Sequence, residues 1–171
     1  EVFEDMIGRS VPGYTSSLRL IENLSRKYFI EGTRCYDLGC SLGASTMSLV
    51  KAIGKKEGKV FAIDNSPAMI AASEQNCADL IKKQKVKFIK QDVNEAQIDK
   101  ASVVIINFVL QFLNTKDKES LLKKVFLGMK QGALLILSEK IHFDNKFRNQ
   151  TIYNLHHQFK SNNGYTKMEI S

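Results

Sequence analysis

The residues able to do chemistry recur at the ends of apolar runs. Asp37 sits inside Cys-Tyr-Asp-Leu-Gly-Cys-Ser-Leu-Gly (35–43), followed by Gly39, Cys40, Ser41 and Gly43. Asp64 and Asn65 follow an apolar run from Val60, Asp92 and Val93 follow one from Val86, and Asn107 closes Ser-Val-Val-Ile-Ile. A glycine turn between a strand and a helix is expected to gather free backbone N–H groups and the positive end of a helix dipole at one spot. Glycines there let a ligand approach the backbone. Asp64 lies about 20 residues past the turn, where nucleotide binders place a carboxylate against a ribose diol. Asp92 is suited to accept from an adenine amino group while the Val93 N–H donates to a ring nitrogen. Each has a structural alternative: a helix cap before Ser66-Pro67 for Asp64, a loop acid for Asp92, a buried amide for Asn107.

A dinucleotide is the first ligand such a layout suggests. However, Gly39-Cys-Ser-Leu-Gly43 lacks the G-x-G-x-x-G arrangement that holds a pyrophosphate. Asp37 stands two residues before the first glycine instead, and an acid there suits an amino or sulfonium group. This points to S-adenosyl-methionine.

These residues require strands and helices to position them. A helix is expected from Thr15, with Leu18, Ile21, Leu24 and Tyr28 on one face, ending at Glu31-Gly32. Strands are expected at 34–38, 59–64, 86–89, 102–107 and 133–138, and helices up to Ile53, from Pro67 to about Lys83, from about Lys116 to Met129, and from Lys146 to about Asn162. Residues 1–13 show no clear periodicity. Alternating strands and helices with short connections predict an α/β, Rossmann-like fold with a mostly parallel sheet and helices on both faces. Ligands of such sheets sit at the carboxyl edge of the strands, where Asp37, Asp64, Asp92 and Asn107 fall.

The 171 residues are 43% apolar and 25% charged, as expected of a single globular domain spanning 1–171. Cysteines at 35, 40 and 77 form neither a zinc pattern nor a disulfide framework, so no metal is expected and a reducing, cytoplasmic setting is. No apolar run approaches a membrane span. The net charge of +7 is spread over scattered lysines without an aromatic-interleaved basic stripe, so the surplus reads as a solvated surface rather than a nucleic-acid groove. The sequence begins at Glu1 without methionine and stops at Ser171 in mid-pattern, which reads as part of a longer polypeptide.

The motifs Asp-Leu-Gly-Cys-Ser-Leu-Gly, Ala-Ile-Asp-Asn-Ser, Gln-Asp-Val and Ile-Asn-Phe resemble those of class I S-adenosyl-methionine-dependent methyltransferases. The longer stretches RSVPGY (9–14), YDLGCSLGAST (36–46), AIDNSPAMI (62–70), NFVLQFL (107–113), LSEK (137–140) and HHQFKSNNGYTKMEIS (156–171) resemble the carboxy-S-adenosyl-methionine synthase family. The resemblance implies cofactor contacts from Tyr14, Gly39, Cys40, Ser41, Asp64, Asn65, Asp92, Val93 and Asn107, beside the Asp37 read from the turn. It implies an enzyme that converts S-adenosyl-methionine and prephenate to carboxy-S-adenosyl-methionine, phenylpyruvate and water. The product then serves a partner enzyme that modifies the tRNA wobble uridine.

The resemblance also implies a homodimer, with no direct nucleic-acid binding required. The last two strands of the family's seven-stranded sheet are absent from this sequence, as is the arginine that holds the product carboxylate. The implied chemistry forms a carbanion next to a sulfonium, where positioning and exclusion of water matter more than a strong base. No motif marks a dedicated base. Glu139 and His142 are candidates, His156 and His157 read as structural or surface residues on a helix, and the departing hydroxide of prephenate is a further proton acceptor. The alternative is a methyltransferase acting on a small molecule or RNA through the same cofactor site.

Overall fold

The computed structural model describes residues 2–170. Glu1 and Ser171, the ends from which incompleteness was read, lie outside the described residues. The chain falls into two compact units, Leu18–Glu139, and Glu1–Ser17 with Lys140–Ser171.

The larger unit contains a five-stranded, wholly parallel sheet in the order β3-β2-β1-β4-β5. Its strands are β1 (Thr33–Leu38), β2 (Gly58–Asp64), β3 (Val86–Lys90), β4 (Ala101–Asn107) and β5 (Met129–Ser138). Strand order reverses between β1 and β4, so their carboxyl ends flank the crevice where such sheets bind ligands. Alternation along the strands divides the core between the two faces. Cys35, Val60, Ala62, Phe88, Val103 and Ile105 pack with Ile21, Leu49, Ile53 and Ile70 from helices α2 (Tyr14–Tyr28), α3 (Ala44–Ile53) and α4 (Pro67–Asn76). Tyr36, Leu38, Ile63, Val104 and Ile106 pack on the other face with Leu121 and Val125. Those last two come from α6 (Thr115–Gly128). Val103, Val104, Ile105 and Ile106 have no solvent exposure, which explains why β4 is apolar from Val103 up to Asn107; the buried Ser102 before them accepts the Thr33 hydroxyl at 2.7 Å.

The expected elements are present, with local corrections. The helix expected from Pro67 to Lys83 is two helices, α4 and α5 (Ala78–Lys82), which break at Cys77. Cys77 leaves the helical region at φ −114 and ψ 19, with its thiol 3.5 Å from the Met47 sulfur. At the start of α4, the Ser66 hydroxyl accepts the Met69 N–H and Pro67 occupies the first turn. Strand β5 begins at Met129 rather than Ala133, and its pairing with β4 is irregular between Ala101 and Val103.

The smaller unit contains helices that the sequence reading did not find: α1 (Val2–Ser10) and α8 (Lys167–Ile170), beside α7 (Lys146–Asn162), which matches its expected bounds. In this unit the Tyr165 hydroxyl donates to the Met6 carbonyl at 2.9 Å, and the Arg9 guanidinium lies 4.9 Å over the Tyr165 ring. His156 is committed to the Ser10 carbonyl at 2.8 Å. Among the described residues, no helix is long and apolar enough to cross a membrane.

Candidate functional site

Strand β1 delivers Asp37 to the crevice and then turns sharply. Gly39 and Gly43 have φ of +78 and +88, and Ser41 between them has +47, so three of five residues lie in the left-handed region. Gly43 is the N-cap of α3 and supplies no side-chain cap. A Cβ at Gly39 would sit 2.3 Å from Val109 Cγ2, so the residue must be glycine both for its dihedral and for the space that Val109 fills.

Four of the five amides of this turn are committed, contrary to the expectation from sequence. Gly39 N–H and Cys40 N–H both donate to the Ile63 carbonyl, at 2.7 and 3.0 Å, and Gly43 N–H donates to the Cys40 carbonyl at 2.9 Å. Ser41 N–H donates to Asp64 Oδ2 at 2.9 Å. The reason lies in the parallel register. Leu38 is beside Ile63 at the ends of β1 and β2, so the chain leaving β1 finds the last acceptors of β2 within reach. The turn therefore spends most of its donors on its own chain rather than keeping them for an anion.

The acids dominate what remains. Asp37 is buried, and its Oδ2 accepts the Thr46 hydroxyl at 2.6 Å. Burial pushes its carboxyl up to about 6; the Thr46 hydroxyl and amide pull it down, and the charge of Asp64 pushes it further up. Asp64 holds the turn to the start of α4: Oδ2 takes Ser41 N–H and Oδ1 takes Ser66 N–H, each at 2.9 Å. A carboxylate has about four lone-pair sites, so both oxygens keep capacity for a pair of hydroxyls. The structural and the binding readings of Asp64 are thus compatible. Asn65 beside it is exposed.

At the end of β4, Asn107 Nδ2 donates to Ser45 Oγ at 3.3 Å, while its Oδ1 is buried with no hydrogen-bond partner. A buried acceptor with no partner is costly and suits a ligand donor. Asp92 caps a short 3-10 turn (Val93–Glu95) by accepting Asn94 N–H at 2.8 Å, with Asp92 exposed and Val93 buried. The chain thus places Asp37, Gly39, Cys40, Ser41, Asp64, Asn65, Asp92, Val93 and Asn107 at or just beyond strand ends of one sheet. Tyr14 belongs to the smaller unit, as the first residue of α2.

Among the base candidates, Glu139 Oε1 accepts the Leu110 N–H at 2.5 Å. His142 Nε2 lies 3.3 Å from Asn149 Nδ2, and His157 packs its ring 3.8 Å from that of Tyr153. Residue type alone does not reveal the Glu139 contact; its sequence signal is an acid placed directly after the fifth strand. A groove of about 480 Å³ opens elsewhere, lined by Arg34, Tyr36, Phe61, Gln91 and Asp99 among others. It shares no residue with the strand-end set, and its cation and acid pair with each other at 3.2 Å.

The fit to S-adenosyl-methionine follows from these groups. Two carboxylates suit a cationic ligand that carries a ribose, and the orphaned Asn107 oxygen suits an N–H donor. The committed turn amides disfavour a diphosphate. Comparison with known proteins agrees. A methyltransferase-domain family model matches residues 36–132. The carboxy-S-adenosyl-L-methionine synthase of Shigella boydii serotype 4 is 43% identical over 171 residues, covering all of this chain and 69% of that protein. The synthase of Vibrio parahaemolyticus is 42% identical, covering all of this chain and 70% of that protein.

The chain belongs to the carboxy-S-adenosyl-L-methionine synthase family.

Solved structures give the same fold. The S-adenosylmethionine-dependent methyltransferase of Clostridium acetobutylicum superposes with a TM-score of 0.61 at 19% identity, covering 80% of this chain and 54% of that one. Coclaurine N-methyltransferase superposes at 0.59 and 20% identity, covering 73% of this chain and 35% of that one. This chain thus has the class I methyltransferase sheet, and S-adenosyl-L-methionine is the molecule it uses.

Proposed function

We propose that this chain converts S-adenosyl-L-methionine and prephenate to carboxy-S-adenosyl-L-methionine, phenylpyruvate and water, with residues 1–171 working as one cofactor-binding domain. The observation that carries the reading is the acid pair Asp37 and Asp64 on a turn whose amides are already committed, in a chain related along its whole length to the synthases. In this reading Asp64 holds the ribose diol with Asn65 beside it, Asp92 with the Val93 amide receives the adenine, and Tyr14 is a further cofactor contact. Asp37 and Asn107 face the charged amino-acid end, with Gly39, Cys40 and Ser41 forming the floor.

The sulfonium makes its methyl group a carbon acid, which captures the CO2 that prephenate loses as it aromatises. Hydroxide leaving prephenate takes the methyl proton as water, so the reaction balances without an added base. The protein's work is to bind, align and keep bulk water out. We further propose a homodimer, a cytoplasmic setting and supply of the product to tRNA wobble-uridine modification. The buried free thiols of Cys35, Cys40 and Cys77 suit a reducing compartment.

Mass spectrometry of the nucleoside bound to freshly purified protein, with and without prephenate, tests the reading. The expected species is heavier than S-adenosyl-L-methionine by one carboxyl in place of one hydrogen. Recovery of only S-adenosyl-L-methionine or S-adenosyl-homocysteine, with nothing new after prephenate is added, would favour a methyltransferase and reject the synthase.

A further inference from the structure

We infer that Glu139 is a positioning residue for the cofactor: from the end of β5 its carboxylate caps the turn after β4 and so fixes the segment that carries Asn107 and Val109. The inference deepens the proposed function and rests on its placement of Asn107 and Gly39 at the cofactor.

The chain after β4 turns into a single 3-10 turn, Leu110–Phe112. Its N-cap residue is Val109, which has no side-chain oxygen and makes no cap hydrogen bond. The first amides of such a turn need an outside acceptor. Glu139 provides it, with Oε1 accepting Leu110 N–H at 2.5 Å from a half-buried position. The neighbouring Ser138 carbonyl accepts Phe108 N–H at 2.8 Å. Two consecutive residues leaving β5 therefore hold two amides of the loop leaving β4, as the register Asn107↔Ser138 allows.

What they hold is strained and consequential. Phe108 has φ +59, a left-handed conformation that a bulky residue keeps only when its surroundings enforce it. That conformation turns Val109 so that its Cγ2 occupies the space beside Gly39. On the other side of Phe108, Asn107 presents its unpaired Oδ1 while Ser45 holds the amide nitrogen. One carboxylate thus sets a wall of the glycine turn and an acceptor of the site. Glu139 touches neither directly, so its role is distinct from that of a base.

The substitutions Glu139→Gln and Glu139→Ala separate the two roles, because glutamine keeps an acceptor oxygen and loses basicity. For Glu139→Ala, S-adenosyl-L-methionine affinity by calorimetry should fall about fivefold to tenfold, the size of a lost cap. Hydrogen exchange of the Leu110 amide should accelerate in the same variant. Glu139→Gln should keep affinity and Leu110 protection near wild type, with kcat for carboxy-S-adenosyl-L-methionine formation little changed. Wild-type affinity in Glu139→Ala would overturn the inference. So would a large loss of kcat in Glu139→Gln at unchanged affinity, which would mark a base. If Glu139→Ala does not fold, the glutamine variant decides: Leu110 protection and affinity kept near wild type there support the cap, and loss of either overturns it. Should wild-type protein make no carboxylated product, the proposed reaction fails while the affinity and exchange readouts still judge the cap.

Discussion

Asp37 is the residue where charge and burial conflict most strongly. Its carboxyl is fully buried against Thr46 and titrates near 6 rather than in the usual carboxylate range. A folded-state value raised above the unfolded one gives stability that is fully present below the unfolded value and lost as pH rises through about 6. The ligand-free protein should therefore be less stable at pH 8 than this group alone would allow at pH 3. Asp37→Asn should remove that loss, raising stability at pH 8 by up to about 3 kcal/mol. The same substitution should abolish cofactor binding, because a cationic ligand repays the buried charge. Thermal melts at pH 5 and pH 8, with and without S-adenosyl-L-methionine, check both halves. Wild-type affinity for the cofactor should likewise weaken as pH falls through about 6. A melt of Asp37→Asn that matches wild type at pH 8 would show that the carboxylate is not strained.

At the scale of elements, the contact between the glycine turn and the β4 loop can be separated into its parts. Gly39→Ala faces a left-handed φ of +78 and a Val109 methyl 2.3 Å from the new Cβ. The dihedral alone costs about 1–2 kcal/mol, and the overlap adds to it. Val109→Ala in the same chain should relieve the overlap and leave the dihedral cost, so urea melts of the two single variants and the double should be strongly non-additive. Simple addition would mean that the turn moves away from Val109 freely.

This level also shows what the sequence could and could not disclose. The strands were legible because runs such as Val103 to Ile106 have no solvent-facing side and so carry no polar residue before Asn107. Asp37, Asp64 and Asn107 were legible because polar residues ending such runs must sit at the sheet edge. The directions of the turn amides were not, since the Ile63 acceptor is supplied by a neighbouring strand. The Glu139–Leu110 link, 29 residues apart, depends in the same way on the β4–β5 register. The break at Cys77 and the helix α1 escaped because helical periodicity in short, mixed segments is weak.

On the scale of the whole molecule, a net charge of +7 surrounds a site whose own ionisable groups are acids. The long-range field attracts anions, and the local one favours a cation. The proposed substrates divide along this line, since prephenate is a dianion and the sulfonium cofactor is cationic. The apparent KM for prephenate should rise as salt increases from about 0.01 M to about 0.5 M, as screening shortens from about 30 Å to a few ångströms. A KM indifferent to salt would show that the basic surface plays no part in capture.

The committed amides of Gly39, Cys40, Ser41 and Gly43 have a consequence for life in a crowded metabolite pool. Adenine nucleotides and nicotinamide dinucleotides present the same base and sugar as the sulfonium cofactor, and a strand-end acid would welcome either sugar. Their phosphates, however, would meet two carboxylates beside a turn that has spent these four donors on its own chain. Such competitors should therefore bind more weakly than the sulfonium cofactor, without a gate or a blocking side chain, because of hydrogen bonds the turn has already made with its own chain.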